Sequence, residues 1–175
     1  MTARAIKVSF KGTIQSRSES KNLLLNSGDF VTVKRVTLRL LILRCPCGCG
    51  DDLLINLDKR SGPAWRLYSK SGLYSLFPSY WRDTQCGSHF IIWNCRIYWC
   101  YNRNDEPDED WRIGERIEQI VLEALKEDDF VHYIDLADEL GLIPWESLQA
   151  CKQLLEKGLC ISGEDELKGC FKKSN

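Results

Sequence analysis

Cys45-Pro46-Cys47-Gly48-Cys49-Gly50 opens a stretch that closes on Cys86-Gly87-Ser88-His89-Phe90 and on Trp99-Cys100. Three thiols at alternate positions, followed about forty residues later by a Cys-x-x-His pair, form an arrangement that packing alone seldom requires, and the spacing reads as a metal site. Cys45, Cys47, Cys49, Cys86, His89 and Cys100 are six candidate ligands. A tetrahedral ion takes four, so at least two of them serve otherwise. Three loop cysteines with Cys86 make one set, and two loop cysteines with Cys86 and His89 make the other. Spacing favours the second, because C-x-C-x-C ligation of one ion demands an unusual loop, although Gly48 and Gly50 allow tight turning and Pro46 stiffens the entry. Zinc is the expected metal, since thiolate and imidazole suit it, with iron the other ion that thiolate sites accept. A closed site of either kind is structural, whereas catalytic zinc keeps an open position.

Upstream of this stretch, residues 5–14, Asp29–Lys34 and Thr37–Arg44 read as strands, the last leading into the first cysteine. Ser16–Lys21 between them reads as a polar loop. Leu53–Leu57, Trp65–Ser69, Leu73–Phe77, Phe90–Trp93 and Arg96–Trp99 are further short strands separated by turn residues. Trp65, Tyr80, Trp81, Trp93, Tyr98 and Trp99 could stack on nucleotides, but are expected to fill a small core. Cys95 is assigned to structure, as are Cys151, Cys160 and Cys170.

Asn102–Asp110 has no apolar residue and five acidic ones, and is expected to be a linker. Beyond it, Ile113–Lys126, Asp135–Leu140 and Pro144–Lys157 read as helices, and Leu159–Gly163 and Leu167–Lys172 as two small strands. The fold class expected is α+β: a mainly-β zinc-site domain over 1–101, an acidic linker over 102–110 and an acidic module over 111–175. Three helices and a terminal hairpin make that module resemble a winged helix.

Net charge hides an asymmetry. Residues 1–110 carry 16 Lys/Arg against 11 Asp/Glu, and residues 111–175 carry 8 against 14, so the parts are +5 and −6. A DNA reader needs a basic recognition helix, yet the third helix sets Glu146 and Glu156 against Lys152 and Lys157. Nucleic acid is therefore not an expected partner, and the module either docks a protein or is a packing appendage. The longest apolar run, Leu38–Leu43, is broken by Arg39 and falls far short of the ~20 residues of a membrane span. The N-terminus lacks the apolar core of a secretion signal. With nine clustered cysteines, an odd number, a reducing cytoplasm is expected instead of a disulfide framework.

Between the two cysteine motifs lies Leu76-Phe77-Pro78-Ser79-Tyr80-Trp81. Ser79 precedes His89 by ten residues, close enough in a β-domain for a hairpin to join hydroxyl and imidazole. A serine needs such a base to become nucleophilic, and the base needs an orienting group, for which Asp83 is the candidate. The plain alternative is a turn serine bonded to its own backbone.

Arg-Cys-Pro-Cys-Gly-Cys-Gly at 44–50, Trp65-Arg-Leu, Leu-Phe-Pro-Ser-Tyr-Trp at 76–81, Cys-Gly-Ser-His-Phe-Ile-Ile at 86–92 and Ile-Tyr-Trp-Cys at 97–100 together resemble a small bacterial family defined as a domain of unknown function. The resemblance covers about residues 28–100. It implies company with multi-ubiquitin-like proteins and homologues of ubiquitin-activating and ubiquitin-conjugating enzymes, in modification systems linked to phage defence. It also implies a serine-type peptidase or deconjugase acting on a ubiquitin-like modifier or its conjugates. Ser79 would then be the nucleophile and His89 the base, leaving Cys45, Cys47, Cys49 and Cys86 for zinc. The alternative is a non-catalytic zinc-binding adaptor for the conjugation enzymes.

Overall fold

A computed structural model describes residues 4–83, 85–100 and 111–174. The chain divides into two compact units, Met1–Glu109 and Asp110–Asn175. The expected acidic linker, 102–110, lies outside the described residues.

The first unit holds two four-stranded sheets. One runs in the order β1-β2-β3-β4, from Ser9–Ile14, Asp29–Lys34, Leu38–Arg44 and Asp52–Asn56. The other runs β5-β6-β7-β8, from Arg66–Lys70, Leu73–Trp81, His89–Trp93 and Arg96–Trp99. Their apolar faces share one core, in which Phe30, Leu41, Leu43 and Ile55 from the first sheet meet Leu76, Phe90, Ile92 and Ile97 from the second. The first sheet buries its other face as well. Ile14, Val31, Val33, Leu40 and Ile42 pack there with Leu24. Burial on both sides explains the unbroken Leu40–Leu43 run, since alternation disappears when neither face meets water. Leu23 and Leu24 follow a 3-10 segment, Arg17–Asn22, where the sequence suggested an open loop. That segment carries the chain across from β1 to β2, which pair in parallel, whereas every other neighbouring pair in the unit is antiparallel.

The strand expected over Leu73–Phe77 is longer than the sequence indicates. β6 continues through Pro78 and Ser79 to Trp81. Pro78, just past the expected end, sits in a bulge: Leu76 pairs with Ile92 and Tyr80 with Phe90, so three residues of β6 face one of β7. A residue without an N–H is tolerated where the ladder is already interrupted.

The second unit contains α1 (Glu115–Ala124), α2 (Tyr133–Leu140) and α3 (Pro144–Glu156) with a small antiparallel sheet, β10-β11-β9. The strands are β9 (Val131–His132), β10 (Cys160–Ser162) and β11 (Cys170–Lys173). Val121, Leu125, Leu136, Ala150, Cys151, Leu154, Cys160 and Phe171 form its core. Gly141, at φ 65°, stops α2, and Pro144 opens α3. Glu118 is buried yet paired, with Gln153 and Lys157. The two-residue β9 was not legible in the sequence, and the final strand starts three residues later than expected because Asp165–Leu167 turns as a 3-10 segment.

One glycine ties the first sheet to the cysteine loop. Gly28 donates to the Arg44 carbonyl at 2.9 Å and accepts from Ser9 N–H at 2.9 Å. Its φ is +88°, and a Cβ there would stand 2.5 Å from the Lys7 carbonyl oxygen. Gly28→Ala should destabilise the protein by at least about 1–2 kcal/mol, seen as a lower urea midpoint with an unchanged slope.

Candidate functional site

Alternate residues of an extended chain stand roughly 6.6 Å apart, too far for three thiols to share one ion. The loop after β3 curls to close that distance. Gly48 and Gly50 both take φ 86°, a conformation open to glycine at little cost. Cys45 N–H donates to the Asp51 carbonyl at 2.8 Å, and Gly48 N–H to the Cys45 carbonyl at 3.2 Å. Ala5 N–H holds the Pro46 carbonyl from outside at 2.7 Å.

The curl, together with the β6–β7 loop, brings Cys45, Cys47, Cys49 and Cys86 together so that all four sulfurs lie within 4.8 Å of one another. Cys45 Sγ stands 3.3 Å from Cys47 Sγ and 3.8 Å from Cys86 Sγ. Four sulfurs about 2.3 Å from a tetrahedral ion are about 3.8 Å apart, so the group could hold one metal ion. His89, favoured over a third loop cysteine on spacing, lies outside this group, as does Cys100. The imidazole is turned to another partner, and the glycine curl supplies the loop geometry that spacing alone made costly.

The thiols are not equivalent. Burial pushes Cys45 far up and also raises Cys49. Burial works against ionising Cys86 too, but it is outweighed by hydrogen bonds from the Ser88 side chain and backbone and from Cys47 and Cys45, which bring it down to about 6. Of these three thiols, Cys86 is the most readily ionised. A bound metal would supply the charge that ionises the rest.

Three residues around the sulfurs escaped the sequence reading. Ser88 Oγ lies 3.1 Å from Cys86 Sγ and 3.6 Å from Cys45 Sγ. Arg82 Nη1 lies 3.0 Å from Asp51 Oδ2 and 3.9 Å from Cys86 Sγ, so an ion pair joins the two cysteine-bearing loops. Ser88 was visible inside Cys-Gly-Ser-His, but Asp51 and Arg82 are 31 residues apart and carry no local signal.

Ser79 and His89 meet next to this cluster. Trp81 lies directly opposite His89 in the β6–β7 register, so their side chains share a face, and Ser79, two residues earlier, emerges on that face diagonal to the imidazole. Ser79 Oγ is 3.2 Å from His89 Nε2, with both residues buried. The Trp65 indole N–H donates to the Ser79 carbonyl at 3.2 Å and fixes the strand there. With the ring proton on Nδ1, the serine hydroxyl donates to Nε2, the geometry in which imidazole can take its proton. Asp83, expected to orient the ring, is instead exposed and makes no hydrogen bond or ion pair with His89. A cleft of about 150 Å³ opens beside His89, walled by Gly87, Ser88, Trp99 and Arg4. The Arg4 guanidinium lies 4.8 Å over the Trp99 ring.

A buried Ser–His pair beside four clustered thiols is a combination that a family comparison can test. Residues 16–100 match the BubE family, the bacterial ubiquitination-like system serine protease. The BubE match spans all the residues just described around the sulfurs and the Ser–His pair except Ala5 and Arg4, and it contains the resemblance read from about residue 28 onward. The family's description as a serine protease agrees with the activity that the resemblance implied. No curated protein and no solved structure matches the chain. No helix among the described residues is long and apolar enough to cross a membrane.

Metal analysis should find one ion per chain, with Cys86→Ser lowering metal content and His89→Ala leaving it unchanged. Chelation should lower the unfolding midpoint, because an ion bound only to the folded state at a thousandfold excess over its Kd contributes about 4 kcal/mol.

Proposed function

We propose that this chain is a serine-type peptidase that matures or removes the modifier of a bacterial ubiquitin-like conjugation system. Ser79 is its nucleophile and His89 its general base. The observation that carries the reading is the buried 3.2 Å contact between Ser79 Oγ and His89 Nε2, inside the segment that matches a serine-protease family. His89 Nε2 takes the hydroxyl proton as Ser79 Oγ attacks the carbonyl that links modifier to carrier or target. The same imidazole then returns the proton to the leaving amine or alcohol. An amide and an ester are both open to this chemistry. Backbone N–H groups of the loop around Gly87 are the candidates to receive the oxyanion.

The metal in this reading is zinc, held by Cys45, Cys47, Cys49 and Cys86. Four sulfurs complete a tetrahedral shell and leave no position for substrate, so its role is structural. It would tie the β3–β4 loop to the β6–β7 loop, and so fix the backbone three residues before His89. Partners are the ubiquitin-like modifier or its conjugates and the conjugation enzymes of the same system, with phage defence as the setting. Nine free thiols support a cytoplasmic site of action.

The second unit is read as a winged-helix-like module that docks a protein partner. What supports this is the element order α1-β9-α2-α3-β10-β11, with β11 pairing to both β9 and β10, and a net charge of −6 that disfavours DNA.

Incubating the protein with a modifier precursor or conjugate tests the proposal. Ser79→Ala and His89→Ala should each reduce cleavage roughly 10³-fold or more, with metal content retained. Cleavage by Ser79→Ala at the wild-type rate would place the nucleophile elsewhere. Cleavage by neither wild type nor variant would favour the zinc-binding adaptor.

A further inference from the structure

A second and larger cleft, of about 410 Å³, lies on the first unit and is lined by Arg17, Arg35 and Arg39 together with Ser16, Ser61 and Leu40. Arg39 on β3 is six residues before Cys45, which places this cleft roughly 20 Å along the strand from the sulfur cluster. Its three guanidiniums come from three separate pieces of chain: the 3-10 segment after β1, the β2–β3 hairpin and β3 itself.

No acidic residue among those described lines the cleft, and the two that touch its lining residues are engaged. Asp58 takes Arg60 at 2.8 Å and 2.9 Å through its two oxygens and Arg39 at 3.5 Å, and the Arg60 hydrogen bonds hold its carboxyl low, at about 2. Glu19 accepts the Ser16 backbone N–H at 2.7 Å. Among the described residues, neither Arg17 nor Arg35 has an ion pair. The cleft therefore keeps a surplus of positive charge, flanked by the two serine hydroxyls, with Val36 beside it 92% exposed at the hairpin tip.

The shape of that surplus selects the ligand. Guanidinium forks match carboxylates and phosphates. No aromatic ring lines the cleft, so a base would find nothing to stack on, and single-stranded nucleic acid is disfavoured. A lone tetrahedral anion would need donors converging on one point, yet the backbone N–H of Ser16, in the cleft lining, already serves Glu19. Three cations spread over a 410 Å³ trough suit several carboxylates along an extended chain.

We propose that this cleft is an exosite that grips an acidic, Asp/Glu-rich peptide segment of the protein on which Ser79 acts. Its place in a cleavage reaction rests on the proteolytic reading above, whereas the peptide binding does not.

The test is fluorescence anisotropy of the full chain, carrying Ser79→Ala so that nothing is cut, with a labelled peptide containing six consecutive glutamates. Binding should weaken as salt rises from 50 to 300 mM, and Arg17→Glu with Arg35→Glu should weaken it by about tenfold or more. Inorganic phosphate and a single-stranded oligonucleotide should each compete less well than unlabelled peptide. In an otherwise wild-type chain, the same double reversal should raise KM for an acidic conjugate and leave kcat unchanged. Equal binding by the reversed variant, or stronger binding of phosphate or oligonucleotide, would overturn the exosite. Peptide binding without any cleavage by the wild type would keep the exosite and remove the protease, and cleavage without peptide binding would do the reverse.

Discussion

Convergence of four sulfurs from two loops is the constraint on which the first unit depends. Cys45, Cys47 and Cys49 belong to the loop that closes one sheet, and Cys86 to the loop that closes the other. A core of aliphatic and aromatic residues holds the sheets face to face, but hydrophobic contact is non-directional and would tolerate sliding. The sulfur group, the Arg82–Asp51 ion pair and the Ser88 hydroxyl are directional. They act at one end of the sandwich, where His89 follows Cys86 by three residues. The imidazole thus stands three residues along the chain from the sulfur cluster, without any direct bond between the two.

Much of the scaffold could be read from residue types. β2 and β3 are rich in Val, Leu and Ile because they are buried on both faces, and the cysteine spacing announced a ligand cluster. What stayed hidden was decided by contacts between distant residues. The choice between His89 and a third loop thiol turned on how far Gly48 and Gly50 curl the chain. The 3-10 segment Arg17–Asn22 looks polar because only Ser20 within it is buried, and the apolar residues that cover the sheet come just after it. The parallel pairing of β1 with β2 leaves no mark in either strand.

Pro78 illustrates the same limit in the other direction. Proline is a sound signal for the end of a strand, because it removes a ladder donor. Here the ladder is already broken by a bulge, and the rule fails where the Ser–His pair is built. Local disagreement between propensity and structure is expected at such places, where the fold accepts an irregularity in order to aim a side chain. Trp65 steadies the irregular segment through the Ser79 carbonyl, and so an aromatic residue assigned to the core also serves the site.

The bulge in β6 contains two surplus residues, and that number matters through simple parity. Leu76 and Tyr80 both face inward across it, so Ser79 and Trp81 both face outward. Had the surplus been odd, inward and outward would have exchanged beyond the bulge, turning Tyr80 away from the core and Trp81 into it. A one-residue change in the length of this strand would consequently alter which side chain stands beside His89.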